Sequence, residues 1–339
     1  MRAWQFDGPD SLRQVDDAPV PEAGYDEVRL QVAACGVNPV DKIFMSGTYP
    51  VTPRPHIGGI EMAGTIDQIG AGVTGLSVGT RVGVSFRRFC GLCRSCQRGD
   101  EVDCERLGGI LGGVSNGGYA EYAVVPAANA LPLPDTLTFS DAASLVLSTA
   151  TAWHMMVDRA RVSVEDRVVV FAASGGVGSA AVQIARLSGA FVVAVAGRGK
   201  TDDVKALGAH VVFERGQAGL VEAIRQATDG GADLVCNPVG AGIWQESIGV
   251  LRNGGRWTTC GVLAGDQVQF MLRPFYNHQH TLIGAAGSNR RDTRAVLEAA
   301  GRGELKVTRW KVYPFDELPQ AIGALGAPER VGKVVLRIG

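Results

Sequence analysis

The stretch VVVFAASGGVGSAAVQIA, residues 168–185, constrains the fold more than any other part of the chain. A continuous apolar run, DRVVVFAA (166–173), suits a strand covered on both faces, as in a parallel sheet. It runs into Gly175, Gly176 and Gly178, and then into a helix predicted to stop at Gly189. Gly175 permits a tight turn and close approach of a pyrophosphate, and Gly178 lets helix and strand pack closely. The helix N-terminus offers free N–H groups and the positive end of its dipole. Ala173 stands where the usual fingerprint has its first glycine. A glycine-rich turn without a ligand is the alternative, but the strand–turn–helix–strand setting favours a dinucleotide.

The same alternation extends on both sides. Strands are predicted at 191–197, 210–213, 232–240, 256–262 and 281–288. Helices are predicted at 139–157, 204–209, 218–230, 244–255 and 291–305. Such alternation specifies an α/β, doubly wound parallel sheet. Residues before about 128 read differently. EVRLQVAACGV (27–37), EMAGTIDQIG (61–70) and GTRVGVSF (79–86) are short strands between glycine turns, and 116–126 reads as a turn entering another strand. Pro50, Pro53 and Pro55 make a stiff, irregular loop. With 339 residues the chain has room for two domains. Its formal charge of −1 gives no electrostatic case for nucleic acid or an anionic membrane. No apolar run reaches the ~20 residues of a membrane helix, and MRAWQFDGPD does not read as a signal peptide.

Where a site for NAD places an acid at the end of the next strand, this chain has Ala196-Gly197-Arg198-Gly199-Lys200. A carboxylate there would repel a 2′-phosphate, whereas Arg198 and Lys200 could pair with it, so NADP(H) is the expected cofactor. A solvated basic loop is the alternative. Four of the seven cysteines, Cys90, Cys93, Cys96 and Cys104, fall at C-x2-C-x2-C-x7-C. Four thiolates close a tetrahedral zinc shell with no open position, so one structural zinc per chain is expected. Clustered thiols of this kind also point to a cytoplasmic location. Cys35, Cys236 and Cys260 read as small buried apolar residues.

Taken together, CGVNPVDK (35–42), PHIGGIEMAG (55–64), the cysteine lobe, GGYAEYAVVP, the glycine turn, LVCNPVG, LRNGGRWTTCGV and the terminal GKVVL resemble the medium-chain dehydrogenase/reductase superfamily. The resemblance covers nearly the whole chain. It implies a GroES-like β-rich catalytic domain, residues 1–127 and 289–339, around a Rossmann domain, residues 128–288. The active site would lie in the cleft between them. It also implies a homodimer or homotetramer paired through the strand at TLIGAA, and cofactor contacts from Thr151, Ser174, Gly175, Gly176, Val177, Gly178, Asn237, Gly261, Val262 and Lys333. Zinc alcohol dehydrogenases of this family hold a second, catalytic zinc. The positions of its ligands match Asn38, Ile60 and Leu147 here, and Ile and Leu cannot bind a metal. GVNPVD and G-I-E resemble instead the quinone oxidoreductase and enoyl reductase branches.

Without a Lewis acid, reduction requires hydrogen bonds to the developing oxyanion or a substrate that delocalises charge. An activated C=C bond in an enone, quinone or enoyl thioester meets that need. The resemblance makes Asn38 the first candidate at the active site, with Tyr49 as proton donor or pocket wall and Asp41 as a pocket group or loop brace. An iminium C=N bond, already cationic, is the alternative substrate for a small-molecule reductase. A cofactor-binding scaffold or sensor without turnover is the reading from another class. The five histidines show no ligand or triad spacing.

Overall fold

The computed structural model describes residues 1–8, 11–47 and 52–339. The predicted strand at 27–37 forms as β3 (Glu27–Val37), after a hairpin of β1 (Ala3–Phe6) and β2 (Leu12–Val15). It is followed by β4 (His56–Ile57), β5 (Glu61–Ile69), β6 (Arg81–Val84), β7 (Tyr122–Pro126) and β8 (Ala130–Pro132). β2, β1 and β4 make a small sheet. β3 is the centre of a larger one: it pairs antiparallel with β5 and β7, and β5 continues to β6 and β8. The last strands of the chain, β15 (Arg309–Pro314) and β16 (Lys333–Arg337), return to this sheet, with β16 antiparallel to β3.

Between these lies the second unit, β9 (Arg167–Val170), β10 (Phe191–Ala196), β11 (Val211–Glu214), β12 (Ala232–Asn237), β13 (Leu251–Thr259) and β14 (Thr281–Gly284). Its strands are parallel, in the order β11-β10-β9-β12-β13-β14. The chain therefore winds outward from β9 in one direction and then in the other. This is a Rossmann-like sheet beside a GroES-like β-rich unit. The crevice where the winding reverses lies beyond the C-terminal end of β9, where ligands of such sheets bind. One apolar core joins Val168, Val170, Val192 and Ala194 of this sheet to Ala34, Ala63 and Val335 of the first.

Two predicted boundaries move. The helix expected at 139–157 is broken into Phe139–Ala142 and Ser148–Trp153, followed by a π-turn at His154–Arg159. The cause is a side chain distant in sequence: Glu61 Oε1 accepts the N–H groups of Leu147 and Ser148, at 2.9 and 3.2 Å, and so caps a new helix start there. β13 begins at Leu251 rather than 256, because Leu251 already pairs with Ala232 and the ladder absorbs the intervening residues as a register shift. Among the described residues no helix is long and apolar enough to cross a membrane.

Candidate active site

The glycine turn joins β9 to the helix that follows it at the C-terminal edge of the parallel sheet. Helix Gly176–Leu187 starts directly after it, with Gly175 at its cap. A Cβ on Gly178 would stand 2.2 Å from the Ala172 carbonyl oxygen, so glycine is needed for helix and strand to approach this closely. The first-turn N–H groups of that helix have no intrahelical acceptor. The other expected cofactor residues gather on the same edge of the sheet. Arg198 and Lys200 follow β10, Asn237 ends β12, and Gly261 and Val262 follow β13. The loops after β12 and β13 touch, since a Cβ on Gly261 would meet the Pro238 carbonyl at 2.6 Å. Thr151 lies in helix Ser148–Trp153 and is buried. Asn237 is wholly buried and its amide is used within the turn. Its Oδ1 accepts the Val239 and Gly240 N–H groups, and its Nδ2 donates to the Gly240 carbonyl.

The two basic residues after β10 differ. Arg198 is 95% exposed, with Glu214 4.0 Å away. Lys200 is half-buried and donates to the Arg330 carbonyl at 2.8 Å, which ties this loop to the segment before β16. Burial, then the charges of Arg330 and Arg215, lower the Lys200 pKa. Lys200 thus sits partly desolvated near two arginines, Arg330 and Arg215, with the carboxylates of Glu329 and Asp203 as opposing charges.

A second polar group lies on the first sheet. The register pairs Gly36 of β3 with Glu61 of β5, and Val37 of β3 with Val334 of β16. Asn38, Glu61 and Lys333 therefore fall side by side on three neighbouring strand ends, all buried. Lys333 Nζ pairs with Glu61 Oε2 at 2.6 Å and donates to Asn38 Oδ1. Asn38 Nδ2 donates to Glu61 at 3.0 Å and to the Gly36 carbonyl at 3.2 Å. Both amide hydrogens of Asn38 are thus committed, and Lys333 is not an exposed strand-end lysine. Asn38 also caps helix Pro39–Met45, with its own N–H given to Asp41. Asp41 accepts a further bond from the Tyr119 hydroxyl, and burial lifts its carboxyl to about 6. Asp41 thus braces the loop that carries Asn38. Tyr49 lies outside the described residues.

Ile60 and Leu147, at the positions of two zinc ligands in the family's metal enzymes, pack with Phe6, Phe44 and Phe86 in an apolar cluster. The cysteine lobe is quite different. The four Sγ atoms converge within 4.8 Å of one another, with Cys90–Cys96 at 3.9 Å and Cys93–Cys104 at 4.0 Å. A tetrahedron with metal–sulfur bonds of ~2.3 Å has edges of about 3.8 Å, so the four thiols fit a zinc ion. The lobe docks on helix Arg290–Gly301. Arg291 reaches the Gly99 carbonyl, Asp100 and Asp158, while Val102 N–H donates to Asn289. Sequence reasoning missed one further group: His154 Nδ1 faces Asp292 at 2.9 Å and Asp158 at 3.2 Å. Its members lie 138 residues apart, and the i,i+4 pair His154/Asp158 was the available signal.

A Rossmann-like sheet with this glycine turn, set against a GroES-like unit that carries a tetrathiol lobe, defines a nicotinamide-dependent oxidoreductase, and the chain belongs to the medium-chain dehydrogenase/reductase superfamily. Residues 24–135 match the alcohol dehydrogenase GroES-like domain, and residues 176–302 the zinc-binding dehydrogenase domain. Among solved structures, a thermostable alcohol dehydrogenase from Pyrobaculum aerophilum is 39% identical, with a TM-score of 0.92 over 100% of this chain and 99% of its own. The quinone oxidoreductase of Rattus norvegicus is 30% identical, over 99% of this chain and 96% of its own length. The 2-octenoyl-CoA carboxylase reductase CinF, solved with NADP and 2-octenoyl-CoA, is 25% identical with a TM-score of 0.91, over 99% and 87% of the two chains.

Proposed function

We propose that this chain is an NADPH-dependent reductase that acts without a catalytic metal on an activated C=C bond of an enone, quinone or enoyl thioester. The observation that carries this reading is the apolar packing of Ile60 and Leu147 beside an Asn38 whose amide is already hydrogen-bonded. These side chains offer no donor set for a Lewis acid, so the substrate must spread the developing charge itself. A nicotinamide held in the crevice would supply hydride for the β-carbon of the substrate. Electron density moves onto the carbonyl oxygen as an enolate, and a proton from solvent completes the α-carbon of an enone or enoyl thioester, or the oxygen of a quinone, which ends as the hydroquinone. The glycine turn receives the diphosphate, Lys200 with Arg198 and Arg215 the 2′-phosphate, and the apolar cluster walls off water. The rat quinone oxidoreductase and CinF support this chemistry. The identity to the Pyrobaculum enzyme favours a second reading, interconversion of an alcohol and a ketone.

The test is NADPH oxidation against enones, quinones, enoyl thioesters, iminium compounds and ketones, with NADH in parallel. Turnover confined to the first three classes, and faster with NADPH, is expected. Chelator-sensitive alcohol oxidation would replace the first reading by the second, and no turnover at all would leave a cofactor-binding scaffold. As part of the same proposal the enzyme is cytoplasmic and pairs with a second copy through β14. That outer strand exposes Thr281 and Leu282 beside exposed Met271, Leu272 and Tyr276.

A further inference from the structure

A cavity of about 550 Å³ lies apart from the cofactor crevice, between the first unit and helix Arg290–Gly301. Its walls come from the turn after β5 (72–76), from the 127–132 stretch that enters β8, and from Arg290 and Arg294 of the helix. No residue assigned above to the nicotinamide or the substrate takes part. The volume is that of a small-molecule pocket, for which about 300–1,000 Å³ is usual. Val73, Leu76, Leu131 and Pro132 give it an apolar surface, and the two arginines stand one helical turn apart. Like charges at that spacing repel. Their neighbour Arg291 is occupied by Asp100 and Asp158, but among the described residues no carboxylate pairs with Arg290 or Arg294. We propose that this cavity is a second ligand site, which binds a small organic carboxylate with a hydrocarbon body. The proposal stands apart from the reductase reading.

The lining selects that chemistry. Arg290 Cζ lies over the Phe89 ring, 5.6 Å from its centroid, and the Nε is buried without an acceptor. A buried donor without a partner is uncommon in folded proteins. This guanidinium therefore gives up no hydrogen bond when it turns to an anion. Arg294 is exposed and, among the described residues, its guanidinium has no hydrogen-bond partner, so its donors are free as well. A guanidinium binds a carboxylate through parallel, charge-assisted bonds, and a second one takes the remaining lone pairs. One acid, Asp26, also lines the cavity and disfavours a second negative charge on the ligand. The apolar side chains are withdrawn from water only if the anion carries a hydrocarbon portion. Once bound, such a carboxylate joins the first unit to the helix whose Asp292 holds His154.

Octanoate is the probe, titrated by calorimetry, with 1-octanol, acetate and inorganic phosphate in parallel. The proteins are the wild type, Arg294→Ala and Ala128→Phe. Ala128 is exposed at the cavity wall, so a phenyl ring there fills the space without altering charge. The wild type is expected to bind one octanoate per chain, and the other three probes about tenfold more weakly or worse. Arg294→Ala should weaken octanoate about tenfold, the size of one charge-assisted pair, and Ala128→Phe by about as much or more. Neither substitution removes an internal ion pair, so both variants should keep the wild-type thermal midpoint and NADPH affinity. Equal binding of 1-octanol overturns the proposal, because the arginines then read no charge. Equal binding of acetate or phosphate overturns it too, since the apolar surface then contributes nothing. So does octanoate that either variant binds as tightly as the wild type, which places the ligand elsewhere, or that fails to saturate below about 1 mM.

Discussion

The Tyr119 hydroxyl donates to Asp41 at 2.8 Å where neither side chain meets solvent, at 1% and 2% exposure. Burial is the largest influence on this carboxyl and lifts it from 3.8 to about 6, against the opposing pull of Tyr119, the Asn38 N–H and Lys333. A raised carboxyl pKa means that the folded chain holds a proton the unfolded chain has released. Its contribution to stability is full below about pH 4 and is lost as the pH rises through 6. Asp41→Asn removes this titration. The stability of the wild type relative to Asp41→Asn should therefore fall by on the order of 3 kcal/mol between pH 4 and 7, measured by urea unfolding. A difference that does not change with pH contradicts the assignment.

Gly178→Ala would place a methyl group 2.2 Å from the Ala172 carbonyl oxygen and 2.9 Å from Ala173 Cα, both backbone atoms that cannot swing aside. Helix and strand must separate, at a cost of about 1–3 kcal/mol. We expect a thermal midpoint lower by roughly 1–4 °C and loss of NADPH binding. Gly175→Ala is the control. Its Cβ would meet Ala172 O at 3.3 Å, so the fold should survive while the diphosphate loses its close approach. Equal thermal midpoints for the two variants would refute the packing argument.

These two regions differ in how far sequence reveals them. The glycine turn is read from eighteen consecutive residues because strand, turn and helix are local, and the tetrathiol lobe for the same reason. The group of Asn38, Glu61 and Lys333 is assembled by strand register, with Lys333 arriving 295 residues after Asn38. Periodicity places each residue on a strand or turn but carries no information about which strand lies alongside. The break at Leu147 was hidden for a related reason, since the acceptor that caps Ser148 is on β5. Family positions point to Asn38 and Lys333 singly, and their mutual contact changes what each is free to do.

Lys200 decides between the two cofactors if the basic loop receives a 2′-phosphate. Lys200→Ala should weaken NADPH binding about tenfold and leave NADH binding unchanged. Arg198→Ala should have a smaller effect, because an arginine 95% exposed is screened by solvent. Parallel loss for both cofactors would mean that the bond from Lys200 to the Arg330 carbonyl is structural and that the loop does not select NADPH.

The cysteine lobe should hold one zinc per chain by metal analysis; two per chain would imply a catalytic ion that Ile60 and Leu147 cannot ligate. The lobe's contacts with residues 289–291 depend on its shape, since Gly99, Asp100, Glu101 and Val102 all take part. Removing the metal with a chelator frees four closely placed thiols and releases that loop. The thermal midpoint should drop, and limited proteolysis should cut within 90–104. Arg291→Ala tests the docking separately. Arg291 is 44% exposed, so its ion pairs with Asp100 and Asp158 contribute about 1 kcal/mol or less. The variant should retain its zinc while proteolysis of the lobe quickens. Protease resistance that survives both chelation and Arg291→Ala would show that neither the metal nor the docking orders the lobe.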